Sequence, residues 1–280
     1  MSPHERTGPA RLLNLLEPFV VAPWWRFGSL NLRPFGVGVQ PDSCFDVLSS
    51  RAERFLHRLV RLDRLTFGPE GMPMPSWLFV DGSALPGVIS GLGIRAGAIP
   101  LRAFQQLGMA AGPSELVPLA MYIAVPARPP HVWYGHNLAS LNRQLPEMEL
   151  GGLATLTKAL GLTVMRCTTQ IGATQWTSPA IHVHTRFGPL ELLTAWTPAH
   201  ANPATLTYKL ELDEEQLSRV ARGIRPGLVE QNPFWIEPGD HDGIRALERR
   251  IEQGKRFAVV GPPDRNGRVP VAAISRPEAA

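Results

Sequence analysis

The stretch AIHVHTRFGPLELLTAWTPAH, residues 180–200, decides how this chain is read. Gly188-Pro189 is a strong turn pair, and polar and apolar residues alternate on both sides of it. The segment therefore reads as two strands joined at that turn. A period of two puts His182, His184 and Arg186 on one face of the first strand. Across the turn Arg186 then faces Glu191, a pair worth about 0.2–1 kcal/mol. His184 falls opposite Leu193 and His182 opposite Ala195, while Val183, Thr185, Leu192 and Thr194 share the other face. Such a mixed polar face either meets water or lines a barrel interior that holds a polar ligand. A metal is the third reading: His-x-His offers two imidazoles, and His136, His200 or Glu191 would have to supply the next ligand.

Outward from this stretch, further runs read as strands: residues 162–176, 204–212, the apolar LVPLAMYIAVPA at 116–127 and NLRPFGVGVQ at 31–40. Residues 75–97 carry strand-like runs broken by glycine. A helix is expected from Ser43, with Phe45, Leu48, Ala52, Phe55, Leu56, Leu59 and Leu62 as its apolar stripe. Arg51, Arg54, Arg58 and Arg61 fall mostly off that stripe. With no aromatic residues between them, they read as a solvated face and not as a nucleic-acid surface. Residues 10–17, 135–145 and 150–161 also read as helices. So do residues 240–255, capped by Asp240 and ended near Gly254, and a hairpin turning near Asn266-Gly267 closes the chain. Strands in sequence joined by tight turns imply antiparallel pairing, hence an α+β fold with a large curved sheet or barrel.

The 280 residues are 44% hydrophobic and 19% charged, enough for a sizeable core and too apolar for disorder. No apolar run reaches the roughly 20 residues of a spanning helix, and MSPHERTGPA has no secretory pattern, so a cytoplasmic protein without membrane contact is expected. Cys44 and Cys167 are read as free thiols. Lysine occurs three times, at Lys158, Lys209 and Lys255, so lysine chemistry has few possible owners. P-loop, HExxH and GxSxG patterns are absent, and no cofactor is expected.

Several stretches, in order, resemble the acetoacetate decarboxylase family: HTRFGPLELLTAW, ISGLG at 89–93, PLAMYIAV at 118–125 and the helix at 43–60. The resemblance covers roughly residues 31–215 and implies an antiparallel β-barrel or cone with peripheral helices and a small-molecule cavity, usually in an oligomer. The chain would be a single domain, 1–280, with an N-terminal extension (1–30), a barrel core (31–215) and a C-terminal helix and hairpin (216–280). Family chemistry rests on a lysine that forms a Schiff base with a keto acid. In one register LTKALGL makes Lys158 that nucleophile; in the other, GHNLASLNRQL puts Arg143 and Gln144 in its place. A Schiff-base lysine must be neutral, which burial among Leu156, Leu160 and Leu162 would favour. The chain departs from the family pattern after ISGLG, where IRAGAIP has Arg95 and no acid. The resemblance thus implies a barrel that binds a small organic acid, with Arg95 or Arg186 on its carboxylate and His182, His184, Glu191 and Arg143 as further binding candidates. It would act as a Schiff-base lyase through Lys158, or as a non-catalytic binding or oligomeric structural protein with a degenerate site.

Overall fold

The computed structural model describes residues 9–84, 87–128, 131–224 and 232–275; the opening stretch, read above for a secretory pattern, lies largely outside them. The chain forms two units: residues 1–167 with Leu217–Ile224, and residues 168–216 with 225–280.

The first unit is built on strands β1 (Glu17–Ala22), β2 (Cys44–Asp46), β3 (Val88–Arg95), β4 (Leu116–Arg128) and β5 (Val132–Ser140), in the order β2-β1-β3-β4-β5. β2 runs parallel to β1 and the other pairs are antiparallel. β4 is buried over its first nine residues, as its nearly unbroken apolar run requires of a strand covered on both faces. Helices α1 (Ser50–Phe67) and α4 (Leu153–Val164) pack on it; α2 (Trp77–Ala84) and α3 (Leu101–Leu107) complete the unit. α1 starts at Ser50, not Ser43, because Cys44–Asp46 is held extended by pairing with Val20–Ala22. Phe45 still joins the expected stripe, stacked on Phe55 at 3.9 Å, whereas Leu48 is exposed. Residues 135–140, expected to be helical, belong to β5, where pairing with β4 overrides local preference.

α4 continues three residues past Gly161. That glycine lies so close to the sheet that an added Cβ would sit 2.6 Å from both Ser90 Oγ and Tyr122 Cδ1. Proximity to β3 and β4, not helix termination, is what glycine serves here.

The second unit contains β6 (Thr169–Gln175), α5 (Ala180–His184), β7 (Leu190–Thr194), β8 (Thr205–Glu211), β9 (Phe234–Ile236), α7 (His241–Glu252), β10 (Phe257–Val259) and β11 (Val269–Ala273), and helix α6 (Glu214–Ala221) spans residues of both units. Its strand order is β6-β8-β7-β10-β11-β9, antiparallel throughout. Asp240 caps α7 by accepting from Gly243 N–H at 2.8 Å, and Gly254 follows its end at φ 82°, both as expected. β10 and β11 form the expected hairpin, with Gly267 at φ 81° in its turn.

The expected antiparallel β-barrel or cone of the acetoacetate decarboxylase type is not formed. Neither unit's strand order returns to its starting strand, so neither closes into a barrel, and the pairing in the first unit is mixed. Two expected staves are missing. In residues 31–40, Pro34–Gly36 forms a 3-10 turn with Phe35 at φ 55° and no strand is present. Residues 180–187 are the helix α5 followed by a 3-10 turn at Thr185–Phe187, leaving only the second half of the expected hairpin, β7, as a strand.

Candidate functional site

The residues singled out from the sequence fall in different surroundings. Lys158 is on α4 and fully buried. Burial lowers its amine to about 7, with the neighbouring Cys167 acting weakly the other way. Arg95 ends β3 and is already engaged: its guanidinium grips the Glu17 carboxylate at 2.5–3.0 Å, reaches Asp42 at 3.0 Å and donates to Ser114 O at 2.9 Å. Glu17 and Asp42 raise the arginine further, and Arg95 in turn holds Asp42 below the usual carboxylate range. Arg143 lies exposed in a turn after β5, and the adjacent Gln144 donates to Leu65 O at 3.1 Å.

In the second unit, His182 and His184 are on α5, and Arg186 is in the turn after it. His184 is buried with its ring 5.3 Å from that of Tyr208. Glu191 pairs with Arg256 at 2.8 Å instead of Arg186. The one-face arrangement of His182, His184 and Arg186 disappears because a helix turns successive even-numbered residues by about 200° instead of keeping them in line. Among the described residues there is no group of three or more His, Cys, Asp or Glu side chains that could hold a metal ion.

A cluster that the sequence reading did not assemble lies in the first unit, where β5 carries one residue more than β4 can pair. Ile123 pairs with Asn137 and Ala124 with Gly135, so His136 is the extra residue of a β-bulge. Bulges re-aim side chains and recur beside active sites. The adjacent Asn137 is fixed from α1: its Nδ2 donates to Asp63 Oδ1 at 3.0 Å, while Asp63 Oδ2 accepts from Met74 N–H at 2.7 Å. Asp63 is completely buried, and burial raises its carboxyl against the pull of those two hydrogen bonds. His136 is open to solvent on one side and crowded on the other; the crowding lowers its pKa, and Asp63's charge opposes that. Tyr134, two residues away, has its phenol raised by burial. Three perturbed groups around one backbone irregularity make a candidate active site. From the sequence His136 reads only as a possible metal ligand. The signal that could have found it was the acid at 63 on an otherwise apolar side of α1.

A second feature is a groove of about 480 Å³ between α1 and the loop after α3, lined by Arg54, His57, Arg58, Arg61, residues 108–112 and Glu115. The α1 arginines are therefore not simply a solvated face: Arg58 is only 6% exposed and bonds Ala110 O, Leu116 O and Glu115. At the N-terminus of α4, Pro9 packs against Gly152, while Gly151 is exposed.

No family model and no curated protein matches the sequence. Among solved structures, the chain is similar to an aminoglycoside 6'-acetyltransferase type Ii at 13% identity and a TM-score of 0.39, over 60% of this chain and 94% of that one. It is similar to a chain of the NatC complex bound to Gag peptide and CoA at 13% identity and a TM-score of 0.40, over 59% and 96%. It is also similar to the aminoglycoside 6'-N-acetyltransferase from Enterococcus faecium at 12% identity and a TM-score of 0.33, over 82% and 97%. The structure itself overturns the acetoacetate decarboxylase-like barrel and the Schiff-base lyase that the resemblance implies: the strand order is open and encloses no barrel cavity, and Lys158, at 0% exposure, presents no surface to a keto acid.

Proposed function

We propose that this chain is a group-transfer enzyme for small molecules, moving an acyl group from a thioester to an amine, with His136 taking the proton from the attacking nitrogen. The observation that supports this reading is the solvent-facing imidazole on the β5 bulge, beside an Asn137–Asp63 hydrogen bond that fixes the strand from behind. Its lowered pKa keeps the ring neutral near pH 7, the form that accepts a proton. Aminolysis of a thioester asks little else of a protein, because no covalent enzyme intermediate is needed. The amine nitrogen bonds to the carbonyl carbon, the carbon–sulfur bond breaks, the nitrogen's proton passes to His136, and the leaving thiolate is then protonated.

Acetyl-CoA with a panel of primary amines is the assay, read as free thiol released. Turnover is expected to rise with pH through a value below that of an ordinary histidine and then level off. His136→Gln should reduce it by about 10²–10⁴-fold, the range of a lost general base. Thiol release indistinguishable between His136→Gln and the parent, or none with any amine, overturns the reading.

A further inference from the structure

We infer that the groove between α1 and the loop after α3 is a binding site for a phosphate-bearing small molecule. It rests on different residues from the proposed acyl transfer and fails or stands separately. Arg54, His57, Arg58 and Arg61 follow one another at spacings of three, one and three along α1, which sets them on one side of the helix. Opposite them lie residues 108–112, a backbone-rich wall with Ala110 and Ala111 as small apolar contacts and the largely buried Met109 behind them. The two walls are tied together. Arg58 donates through Nε to Ala110 O at 2.9 Å and through Nη1 to Leu116 O at 3.1 Å, and it pairs with Glu115 at 2.7 Å. Glu115 also accepts from Gly112 N–H at 2.6 Å, and Arg58 first, then that amide, holds the carboxylate below its usual range.

Arg61 is half committed. Its Nε donates to Leu107 O at 2.9 Å, and its Nη2 lies against Gly108, where a Cβ would stand 3.1 Å away. Gly108 ends α3 at φ 57°, so glycine there both closes the helix and leaves room for the guanidinium. Arg54 is exposed and has no hydrogen bond or ion pair among the described residues, although its charge helps lower Glu115, and His57 is exposed beside it. The groove thus sets three guanidinium charges against one carboxylate, with Arg58 and Glu115 as the fixed frame and Arg54, His57 and Arg61 facing outward. One carboxylate needs a single bidentate arginine; several convergent arginines suit a ligand with more charge and more oxygens, which is what a phosphate ester supplies. The volume is within the range of small-molecule sites.

The test is calorimetric titration of the full chain with inorganic pyrophosphate, ADP and citrate at low salt, repeated with Arg54→Glu and His57→Ala. Both side chains are exposed, so circular dichroism and thermal midpoint should stay at parent values. Saturable binding of pyrophosphate or ADP with a dissociation constant below about 1 mM, weakened about tenfold or more by Arg54→Glu, is expected. Tighter binding of ADP than of pyrophosphate assigns the organic part of the ligand to Met109–Ala111; equal binding assigns the site to the phosphates alone. Citrate binding more tightly than either phosphate, no saturation by any phosphate, or equal affinity in Arg54→Glu overturns the inference. So does binding of a single-stranded oligonucleotide without binding of either small phosphate.

Discussion

A single side chain sets the sharpest electrostatic expectation for this protein. Lys158 is completely buried, and its amine lies at about 7 against 10.5 for a free lysine. Between those values the folded protein binds fewer protons than the unfolded chain, so stability rises with pH across the window. The slope reaches about 1.4 kcal/mol per pH unit at its steepest, and the gain is lost as pH falls back through the folded value. Lys158→Met keeps length and volume while removing the titration. Urea unfolding of both proteins between pH 6 and 10, read as the difference in stability, should converge toward high pH, with the variant more stable at pH 7. Parallel curves would show that the amine is hydrated or paired well enough to stay charged. The sequence puts this lysine in an apolar helix where burial would favour a neutral amine; the structure buries it completely, but the imine chemistry does not follow from that burial. Complete burial lowers the pKa and removes substrate access in the same step. His136 shows the reverse case. A bulge is a pairing event between strands that are set by register, so nothing local in GHNLAS announces it.

Individual elements were legible where one local signal was enough. Asp240 and Gly254 bracket α7, Asn266-Gly267 turns the last hairpin, and the apolar run at 116–127 is a strand buried over its first nine residues, each with a signal in its own letters. Alternation was the weaker guide. AIHVHTRF alternates as a strand should, but it forms a helix followed by a 3-10 turn, with Ile181, His184, Thr185 and Phe187 buried at a helical spacing that fits the same letters. Two predictions belong at this scale. Gly161→Ala adds a methyl 2.6 Å from Ser90 Oγ and Tyr122 Cδ1. Although alanine favours helix by about 1 kcal/mol, overpacking between α4 and the sheet should leave a net loss of about 1–3 kcal/mol by urea unfolding. A gain in stability would mean α4 can move off the sheet. On α7, Glu248 accepts the backbone N–H groups of Ala195 and Trp196, just beyond β7. Glu248→Ala orphans both donors and should cost about 1.5–3 kcal/mol, the range of hydrogen bonds to a charged acceptor. Glu248→Gln keeps an acceptor oxygen and should fall between the two. If alanine and glutamine behave alike, α7 is not anchored to that backbone through the carboxylate.

At the scale of the whole molecule, closure of a sheet is what strand patterning leaves undetermined. Strands read one at a time carry no statement of which edge meets which, and a run of antiparallel neighbours fits a barrel as well as an open sheet. The open strand order is what removes the barrel from the first unit; the parallel β1–β2 pair at its edge makes the pairing mixed, and it depends on three residues, Cys44–Asp46, whose pattern reads as the start of a helix. The same long-range logic joins Leu217–Ile224 to residues 1–167, across some fifty intervening positions. Within that segment Leu217, Val220 and Ala221 are each no more than 3% exposed. Burying a leucine or valine side chain is worth about 1.5–3 kcal/mol. A chain ending at Cys167 therefore forgoes on the order of 5 kcal/mol, comparable with the whole stability of many domains. It should unfold at lower urea with a broadened transition and bind a hydrophobic dye that the full chain excludes. Restoring residues 217–224 through a flexible linker should sharpen the transition and release the dye, while a linker carrying Leu217→Ser and Val220→Ser should do neither. A sharp, dye-free transition for the chain ending at Cys167 would show that the first unit is complete without its returning segment.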